Sequence, residues 1–593
     1  MHLKFSFAAN YFLLLNIVLL TSSFSTGEVR AQTLTPTPSQ VPNPVLPTQP
    51  TPLPQPTLPN PEPLPPPSEL LQPPSGNTPS TPEQAPSNIP GNIKVDRYEF
   101  EGNTAFSDAQ LAEVTKQFTG EVSFAQLLQA RSAVTKLYVD NGYITSGAFI
   151  PPQTLNGGVV KIQVVEGGIE EIRVSGTGRL NPQYVRSRVA RGTNKPLNVN
   201  RLLQSLQLLQ LNPLIRNISA ELSAGSRPGL SVLEVTVRPA DTLDLQFTFD
   251  NGRSPSVGTL RRGVQLTEAN LFGQGDSINL SYANTTGSHE VDANYTYPIN
   301  DRNGTLGFRF GFTKSNIIEP PFDQVDIEAI SYDYELSYRQ PVIQTPTQEF
   351  ALGISASRRE SDTTLLNEPF PLSPGANNNG STRISALRVF QEWTQRGSRS
   401  VFAARSQFNF GIPAFKASVN EREEGIPDSR FVSWRGQAQW LRLLGPRGSD
   451  PSNSPLLLIR ADMQLADKAL LPLEQFGLGG FESVRGYRQD ALLTDNGVFG
   501  SVEVRFPIYS LANRRGVLQV IPFVDVGRAW NSSGKKNPEP SSDLASVGLG
   551  VQWQMEDKLR VRLDYGIPII DIGGTDRTLQ EQGFYFSLQY NPF

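Results

Sequence analysis

An arginine and an aspartate, forty positions apart near the C-terminus, have the clearest chemistry in this sequence. The arginine lies in the run Val484-Arg485-Gly486-Tyr487, and the aspartate lies in Phe523-Val524-Asp525-Val526-Gly527. A guanidinium and a carboxylate form a strong, often bidentate pair, and burying either charge alone is costly. The two motifs therefore predict that Arg485, on a glycine-flanked loop, pairs with Asp525, on a strand, in the interior of the protein.

No other group of residues predicts catalysis or a metal site. The chain has no cysteine and two histidines, which leaves little room for thiolate or imidazole chemistry. The acidic run at 421–424 lies in a long polar segment and is typical of a solvated loop, and Asp495-Asn496-Gly497 is a turn signal. His289, beside a glycine and a serine, is predicted to be a solvated loop residue. We therefore expect no enzymatic activity and no cofactor.

The elements that must position this pair are strands with period two, which continue from 241 to 593. One run has apolar side chains at every second position, namely Leu306, Phe308, Phe310 and Phe312. One apolar face and one polar face are typical of strands between lipid and a water-filled lumen. A soluble β-sandwich is the alternative, but a secretion signal and so many strands with a charged face favour a membrane barrel.

We count about sixteen such segments, an even number, as is usual for bacterial barrels of one chain. Their predicted starts are Leu243, Thr259, Asp276, Glu290, Leu306, Ile330, Phe350, Thr382, Val401, Phe431, Leu456, Val498, Leu518, Val547, Leu559 and Phe584. The fold class predicted for 241–593 is a transmembrane β-barrel of antiparallel strands.

The N-terminal part predicts secretion, followed by a spacer. Residues 1–31 combine Lys4, a short apolar stretch and a cleavage site ending at Ala31, which is typical of a signal peptide. A transmembrane anchor is the alternative, but the apolar stretch is shorter than the roughly 20 residues that span a bilayer. Residues 32–92 are rich in proline, threonine and glutamine and predict a disordered linker, in which only 68–72 could form a turn of helix.

Two small α+β modules are predicted between the linker and the barrel. In 93–167, a strand precedes two helices, the first of which begins at Asp108 with Ser107 as its cap, and two further strands follow. In 168–240, the same order of elements recurs, with a leucine-rich helix at 199–211. A repeat of about 75 residues predicts tandem modules. The net charge of −4 and the absence of a long basic run indicate that nucleic acid is not a partner.

The motifs resemble those of the TpsB transporters of two-partner secretion, the haemolysin secretion/activation type of barrel with POTRA domains. Phe100-Glu101-Gly102-Asn103-Thr104 and Val164-Val165-Glu166-Gly167 resemble the ShlB-type first POTRA domain. Val484-Arg485-Gly486-Tyr487 and Phe523-x-Asp525-x-Gly527 resemble the loop and strand that meet in the lumen of the family's barrels. Phe593, the last residue, resembles the signal read by the outer-membrane barrel-assembly machinery.

The resemblance implies an outer-membrane protein with periplasmic POTRA domains and no enzymatic role. Its partners would be a secreted exoprotein, bound unfolded through an N-terminal secretion domain, together with outer-membrane lipid and the assembly machinery. The exoprotein would cross a polar lumen, lined by Arg309, Glu503, Arg505, Arg560 and Arg562. An outer-membrane protein insertase or a plastid-type import channel of the same superfamily is the alternative, and a passive porin is a third.

Overall fold

The polypeptide divides into two α+β modules and one large barrel. The computed structural model describes residues 71–72, 93–154, 157–420, 425–446, 454–511, 516–532, 542–573 and 577–593. The predicted signal peptide, most of the proline-rich linker and the acidic run at 421–424 lie outside these residues. Within the described ranges, no helix is long and apolar enough to cross a bilayer.

A short strand precedes the first module, which packs two helices against a small sheet. These elements are β1 (Leu71–Gln72), β2 (Ile93–Val95), β3 (Arg97–Glu101), α1 (Asp108–Thr115), β4 (Gly120–Val122), α2 (Phe124–Asp140), β5 (Gly147–Phe149) and β6 (Val159–Val165). Helix α1 begins where the sequence predicts it, because Ser107 and Gln110 form a capping box. The sheet order is β3-β6-β5, and Leu111, Leu127 and Val134 are buried against it.

The second module repeats this plan with a larger sheet. Its elements are β7 (Gly168–Ser175), α3 (Pro182–Ala190), α4 (Val199–Gln210), β8 (Ile215–Ala224) and β9 (Leu230–Pro239). The sheet order is β1-β8-β9-β7, with β1 parallel to β8, so that Leu71 lies opposite Ala220 and Gln72 opposite Glu221. The helical turn predicted at 68–72 is therefore wrong at Leu71–Gln72, where a sheet edge offers backbone partners to an extended chain.

The remainder of the chain forms a closed barrel of sixteen antiparallel strands, to which the short strand β17 is added. The barrel strands and β17 are β10 (Leu243–Asp250), β11 (Arg261–Ala269), β12 (Ser277–Asn284), β13 (Ser288–Pro298), β14 (Thr305–Asn316), β15 (Ile327–Gln344), β16 (Gln348–Leu365), β17 (Glu368–Pro369), β18 (Ser381–Arg396), β19 (Ser400–Ile412), β20 (Val432–Leu443) and β21 (Leu456–Ala466). They continue, after two short strands described below, with β24 (Asn496–Ser510), β25 (Val517–Trp530), β26 (Ser542–Met555), β27 (Leu559–Pro568) and β28 (Phe584–Tyr590). Pairing of β10 with β28 closes the barrel. Each predicted start lies within five residues of an observed one.

The two faces of the barrel wall differ as the period-two pattern predicts. On β25, Val524 and Val526 are about half exposed, whereas Phe523 and Asp525, at the alternate positions, are buried. The exposed apolar side chains lie on the outer face, where lipid can cover them, and the alternate positions face the lumen. His289 is not in a loop. It lies in β13, and its Nδ1 is 2.9 Å from the hydroxyl oxygen of Tyr282, because the strand extends further than the local sequence indicates.

Candidate functional site: the lumen loop

The connection between β21 and β24 folds back into the barrel instead of leaving it. Residues 467–495, called the lumen loop from here on, contain a turn at Pro472–Glu474 and the short strands β22 (Phe476–Leu478) and β23 (Leu492–Thr494). These two strands pair with each other, with Phe476 opposite Thr494 and Leu478 opposite Leu492. The tip between them carries Arg485, whose side chain is 1% exposed.

Arg485 makes a bidentate pair with Asp525. Its Nε donates to Oδ2 at 2.7 Å, its Nη2 donates to Oδ1 at 2.9 Å, and its backbone N–H donates to Oδ2 at 3.1 Å. The guanidinium carbon also lies 3.4 Å from the centre of the Phe523 ring, a cation–π contact. The hydroxyl of Ser501, opposite Asp525 on β24, donates to Oδ1 at 2.6 Å. The structure thus brings together the two residues that the sequence pairs.

The pair is part of a larger charge cluster, which the sequence does not reveal. Arg485 Nη1 lies 3.2 Å from an oxygen of Glu503 and 3.5 Å from one of Asp564. Glu503 also binds Arg505 at 2.7 Å and Arg562 at 3.0 Å, and Arg562 binds Asp564 at 2.8 Å. The charge cluster therefore comprises three arginines and three carboxylates, namely Arg485, Glu503, Arg505, Asp525, Arg562 and Asp564.

This cluster corrects two expectations. A single arginine–aspartate pair was predicted, but Arg485 also pairs with Glu503 and Asp564, because strands β24, β25 and β27 all direct ionised side chains at the same point. Glu503, Arg505 and Arg562 were also predicted to line an open polar path, yet Glu503 is 1% exposed and all three are engaged in the charge cluster. Of the other two predicted lining residues, Arg309 pairs with Asp292 at 2.7 Å and Arg560 donates to Gln589 at 3.3 Å.

The neighbours of Arg485 in its motif fix the backbone of the loop tip. Val484 is fully buried among Phe476, Leu478 and other apolar side chains. Gly486 has a φ of +99°, and a Cβ there would lie 3.2 Å from the backbone oxygen of Gly566, so a side chain would be strained and crowded. Its N–H donates to the hydroxyl of the buried Tyr585 at 2.9 Å.

Tyr487 and Gly527 complete the contact between loop and wall. The Tyr487 hydroxyl lies 2.7 Å from the carbonyl oxygen of Ile570 and 2.9 Å from that of Ala545. At Gly527, a Cβ would lie 2.7 Å from Cδ1 of Leu478, so the absence of a side chain lets the loop pack directly on β25. Phe523, Asp525 and Gly527 thus face the lumen from alternate positions of one strand, and each contacts the lumen loop.

A second ionic anchor lies at the base of the loop. Glu474 accepts hydrogen bonds from Arg359 on β16 at 2.8 Å and from Arg388 on β18 at 2.7 Å. Both strands lie on a different part of the wall from the charge cluster, so the loop bridges the lumen. The sequence does not single out these three residues, whose only signal is that they are charged residues among many at inward positions.

A third anchor joins the loop to two other segments. Arg488 binds Glu319 through both terminal nitrogens, at 2.9 and 2.7 Å, and lies 3.4 Å from an oxygen of Glu581. Glu319 lies between β14 and β15, and Glu581 lies between β27 and β28. The three anchors together hold the lumen loop on more than one side.

In the first module, the motif residues form an internal carboxylate site. Glu166, at the end of β6, accepts hydrogen bonds from the backbone N–H of Thr104 at 2.6 Å and of Ala105 at 2.8 Å, and from the Tyr138 hydroxyl at 2.9 Å. Burial alone raises the pKa of Glu166, but these hydrogen bonds outweigh it, and the pKa lies below its ordinary value. The turn after β3 and helix α2 are thereby joined to the end of the sheet.

Phe593, the predicted assembly signal, lies three residues beyond β28. Its side chain is 71% exposed. A terminal aromatic residue in this position is accessible to another protein.

Comparison with known proteins assigns this architecture to a family. Residues 229–553 match the family of the haemolysin secretion/activation protein ShlB/FhaC/HecB, and residues 93–167 match the POTRA domain of ShlB type. The first match covers more than half of the chain. The chain belongs to this family.

Individual relatives match most of the length of this chain. The chain is 24% identical over 435 residues to the outer membrane transporter CdiB of Dickeya dadantii, covering 72% of this chain and 74% of the relative. It is 23% identical over 476 residues to the heme/hemopexin transporter protein HuxB of Haemophilus influenzae, covering 78% of this chain and 80% of the relative. The solved structure of CdiB from Escherichia coli superposes with a TM-score of 0.63 at 22% identity, covering 86% and 92% of the two chains.

These findings place the transporter in the outer membrane, with its POTRA region in the periplasm. Its function is that of a two-partner secretion transporter, which acts with a secreted exoprotein. Membership of a secretion family favours export of a protein across the outer membrane over the alternative function, insertion of proteins into that membrane. The role of the lumen loop in that export is a proposal.

Proposed function

We propose that the transporter binds its exoprotein unfolded, by strand addition to the periplasmic sheets, and conducts it through the barrel when the lumen loop moves. Strand addition needs a sheet edge with unpaired backbone groups. In the first POTRA domain, the three-residue strand β5 ends the sheet, and its Phe149 is 44% exposed. An extended polypeptide can pair with this edge and cover the ring.

The observation that carries the proposal is the pairing of β1 with β8 in the second module. Strand β8 has ten residues, but β1 pairs with only Ala220 and Glu221. The edge of β8 thus accepts an extended segment in parallel orientation, and most of its length stays available to a longer strand. An unfolded exoprotein offers such a strand and would displace β1.

The second half of the proposal concerns the lumen loop. It is held by the charge cluster, by Glu474 and by Arg488, so most of its strong contacts are ionic and can re-form after release. While these contacts persist, the loop occupies the path that a polypeptide would take. Passage of the exoprotein therefore requires the loop tip to leave its place beside β25.

A cross-link between β1 and β8 tests the binding step. Because the natural chain has no cysteine, the pair Gln72→Cys and Glu221→Cys can be joined by a disulfide or a short bifunctional thiol reagent without side reactions. We expect cells with the cross-linked transporter to lose most export, measured as the polypeptides released into the medium by quantitative mass spectrometry. Reduction of the disulfide should restore export.

The matched control is the pair Arg173→Cys and Glu234→Cys. These residues lie opposite each other on β7 and β9, which are also parallel strands of the same sheet, and both are exposed. Cross-linking them stiffens the module without holding β1 on β8, so export should continue. Normal export from the fully cross-linked Gln72→Cys/Glu221→Cys transporter would exclude the edge of β8 as the binding site.

A further inference from the structure

A cavity lies where the second module meets the barrel. Its volume is about 180 Å³, and helices α3 and α4 form one side of it, whereas Asp301 and Asn303 of the turn after β13 and Gln344 at the end of β15 form the other. Three arginines, Arg188, Arg191 and Arg201, line this cavity, which also contains one carboxylate, that of Asp301. The lining thus carries an excess of positive charge.

Among the described residues, no carboxylate forms a close ion pair with these arginines, and the charge of Asp301 acts on Arg188 only from a greater distance. Arg188 is buried and donates only to neutral acceptors, the side-chain oxygen of Asn303 at 2.7 Å and the carbonyl oxygens of Asn300 at 3.2 Å and Tyr184 at 3.0 Å. Burial lowers the pKa of its guanidinium below the ordinary value, so an anion nearby would be favourable. Arg191 and Arg201 are exposed at the rim.

The cavity borders the lipid-facing surface of the barrel. Val342 and Ile343, which directly precede Gln344, are 59% and 46% exposed, and Ile299, at the start of the turn after β13, is 48% exposed. The second module, which is periplasmic, contacts the turn after β13. The strand ends that carry these apolar side chains are therefore the periplasmic ends. At this level, the headgroups of the inner leaflet meet the protein.

We propose that this cavity binds the headgroup phosphate of an anionic phospholipid of the periplasmic leaflet. Arg191 and Arg201 contact the phosphate, Arg188 supplies a further positive charge from within, and the acyl chains cover Val342 and Ile343. An arginine cluster suits a phosphate, and the adjoining apolar surface favours a lipid over a free anion or an acidic peptide. Such a lipid would join the second module to the membrane beside the barrel.

The test uses the full-length transporter in detergent, titrated with phosphatidylglycerol, with phosphatidylcholine of the same chain length, with inorganic phosphate, or with a glutamate-rich peptide. Bound molecules are counted by native mass spectrometry. We expect one phosphatidylglycerol to bind more tightly than phosphatidylcholine. The variant Arg191→Gln/Arg201→Gln should lose roughly tenfold or more in that affinity, because two charged hydrogen-bond donors are removed.

The control variant is Arg227→Gln/Arg238→Gln, which removes two exposed arginines of the same module outside the cavity and should bind the lipid as the unmodified protein does. An equal loss in both variants would show only a general charge effect and overturn the site. Equal affinity for the two lipids, phosphate binding without lipid selectivity, or tighter binding of the acidic peptide would each overturn the lipid assignment.

Discussion

At the scale of single residues, Arg485 makes the contacts that fix the tip of the lumen loop on the barrel wall. It uses Nε, both terminal nitrogens, its backbone N–H and the face of its guanidinium, and these groups contact Asp525, Glu503, Ser501 and Phe523. A lysine could not replace it, because an ammonium group lacks the planar fork and stacks less well on an aromatic ring. The motif therefore specifies an arginine, not merely a positive charge.

We expect Arg485→Ala to leave a folded barrel with a released loop tip. Removing one partner of a buried pair costs about 3–5 kcal/mol, since Asp525 stays buried without its ionic partner. Secretion should be lost, and single-channel conductance in a planar bilayer should rise. Arg485→Lys should resemble the alanine variant, and Arg485→Ala/Asp525→Ala should be less destabilised than the sum of the two single variants.

Arg309→Ala is the matched control for Arg485, because it removes another lumen arginine whose pairing with Asp292 is partly exposed and does not involve the loop. It should secrete normally. Wild-type secretion and conductance from Arg485→Ala would show that the Arg485–Asp525 pair does not control the loop.

At the scale of elements, local signals predicted most of the structure. The start of α1 follows from Ser107, and the barrel strands follow from period two, since both depend on neighbouring residues. The partner of Arg485 was predictable because motifs of a known family name both residues. Glu474, Glu503 and Asp564 were not, because the tilt and stagger of the strands decide which of many inward charges meet.

Glu166 connects three elements of the first POTRA domain, and we expect Glu166→Gln to destabilise that domain. A lost hydrogen bond to a charged group costs about 1.5–3 kcal/mol. Because the pKa of Glu166 is lowered on folding, its contribution is fully present at neutral pH and is lost as the pH falls through the folded-state value. Hydrogen exchange of the full-length protein should show faster exchange in 100–140 for the variant at pH 7.

Acidification provides the second half of this test. Below the lowered pKa, Glu166 is protonated in the wild type too, so the stabilities of the wild type and Glu166→Gln should converge. Glu121→Gln, an exposed residue of the same domain, should match the wild type at both pH values. A difference between Glu166→Gln and wild type that stays constant down to strongly acidic pH would contradict the charged role of Glu166.

At the scale of the whole molecule, the transporter is a closed barrel whose interior is crossed by the lumen loop. The charge cluster lies against β24, β25 and β27, whereas Glu474 binds β16 and β18, and Arg488 joins two further segments. The barrel wall does not need the loop tip, because no pairing between barrel strands involves 479–490. The barrel wall and the tip of the lumen loop can therefore be altered separately by mutation.

We expect a transporter in which a short glycine–serine linker replaces 479–490 to fold and to conduct ions strongly. Removal of the tip takes away Arg485 and Arg488 and leaves the lumen open, so single-channel conductance should exceed that of the wild type. An equally long replacement at 367–378, which takes in β17 and part of its connection to β18, is the control and should leave the conductance unchanged. Equal conductance of the wild type and the loop variant would mean that the loop does not obstruct the lumen.

The partners of the loop tip also have an order along the chain. Asp525 is synthesised soon after Arg485, but Asp564, Gly566 and Tyr585, which contact Arg485 and Gly486, belong to the final hairpin. The tip of the lumen loop can therefore reach its final position only when β27 and β28 are in place. A chain cut short before residue 559 would lack both these partners and strand β28, which closes the barrel on β10, so neither the wall nor the loop tip could be completed.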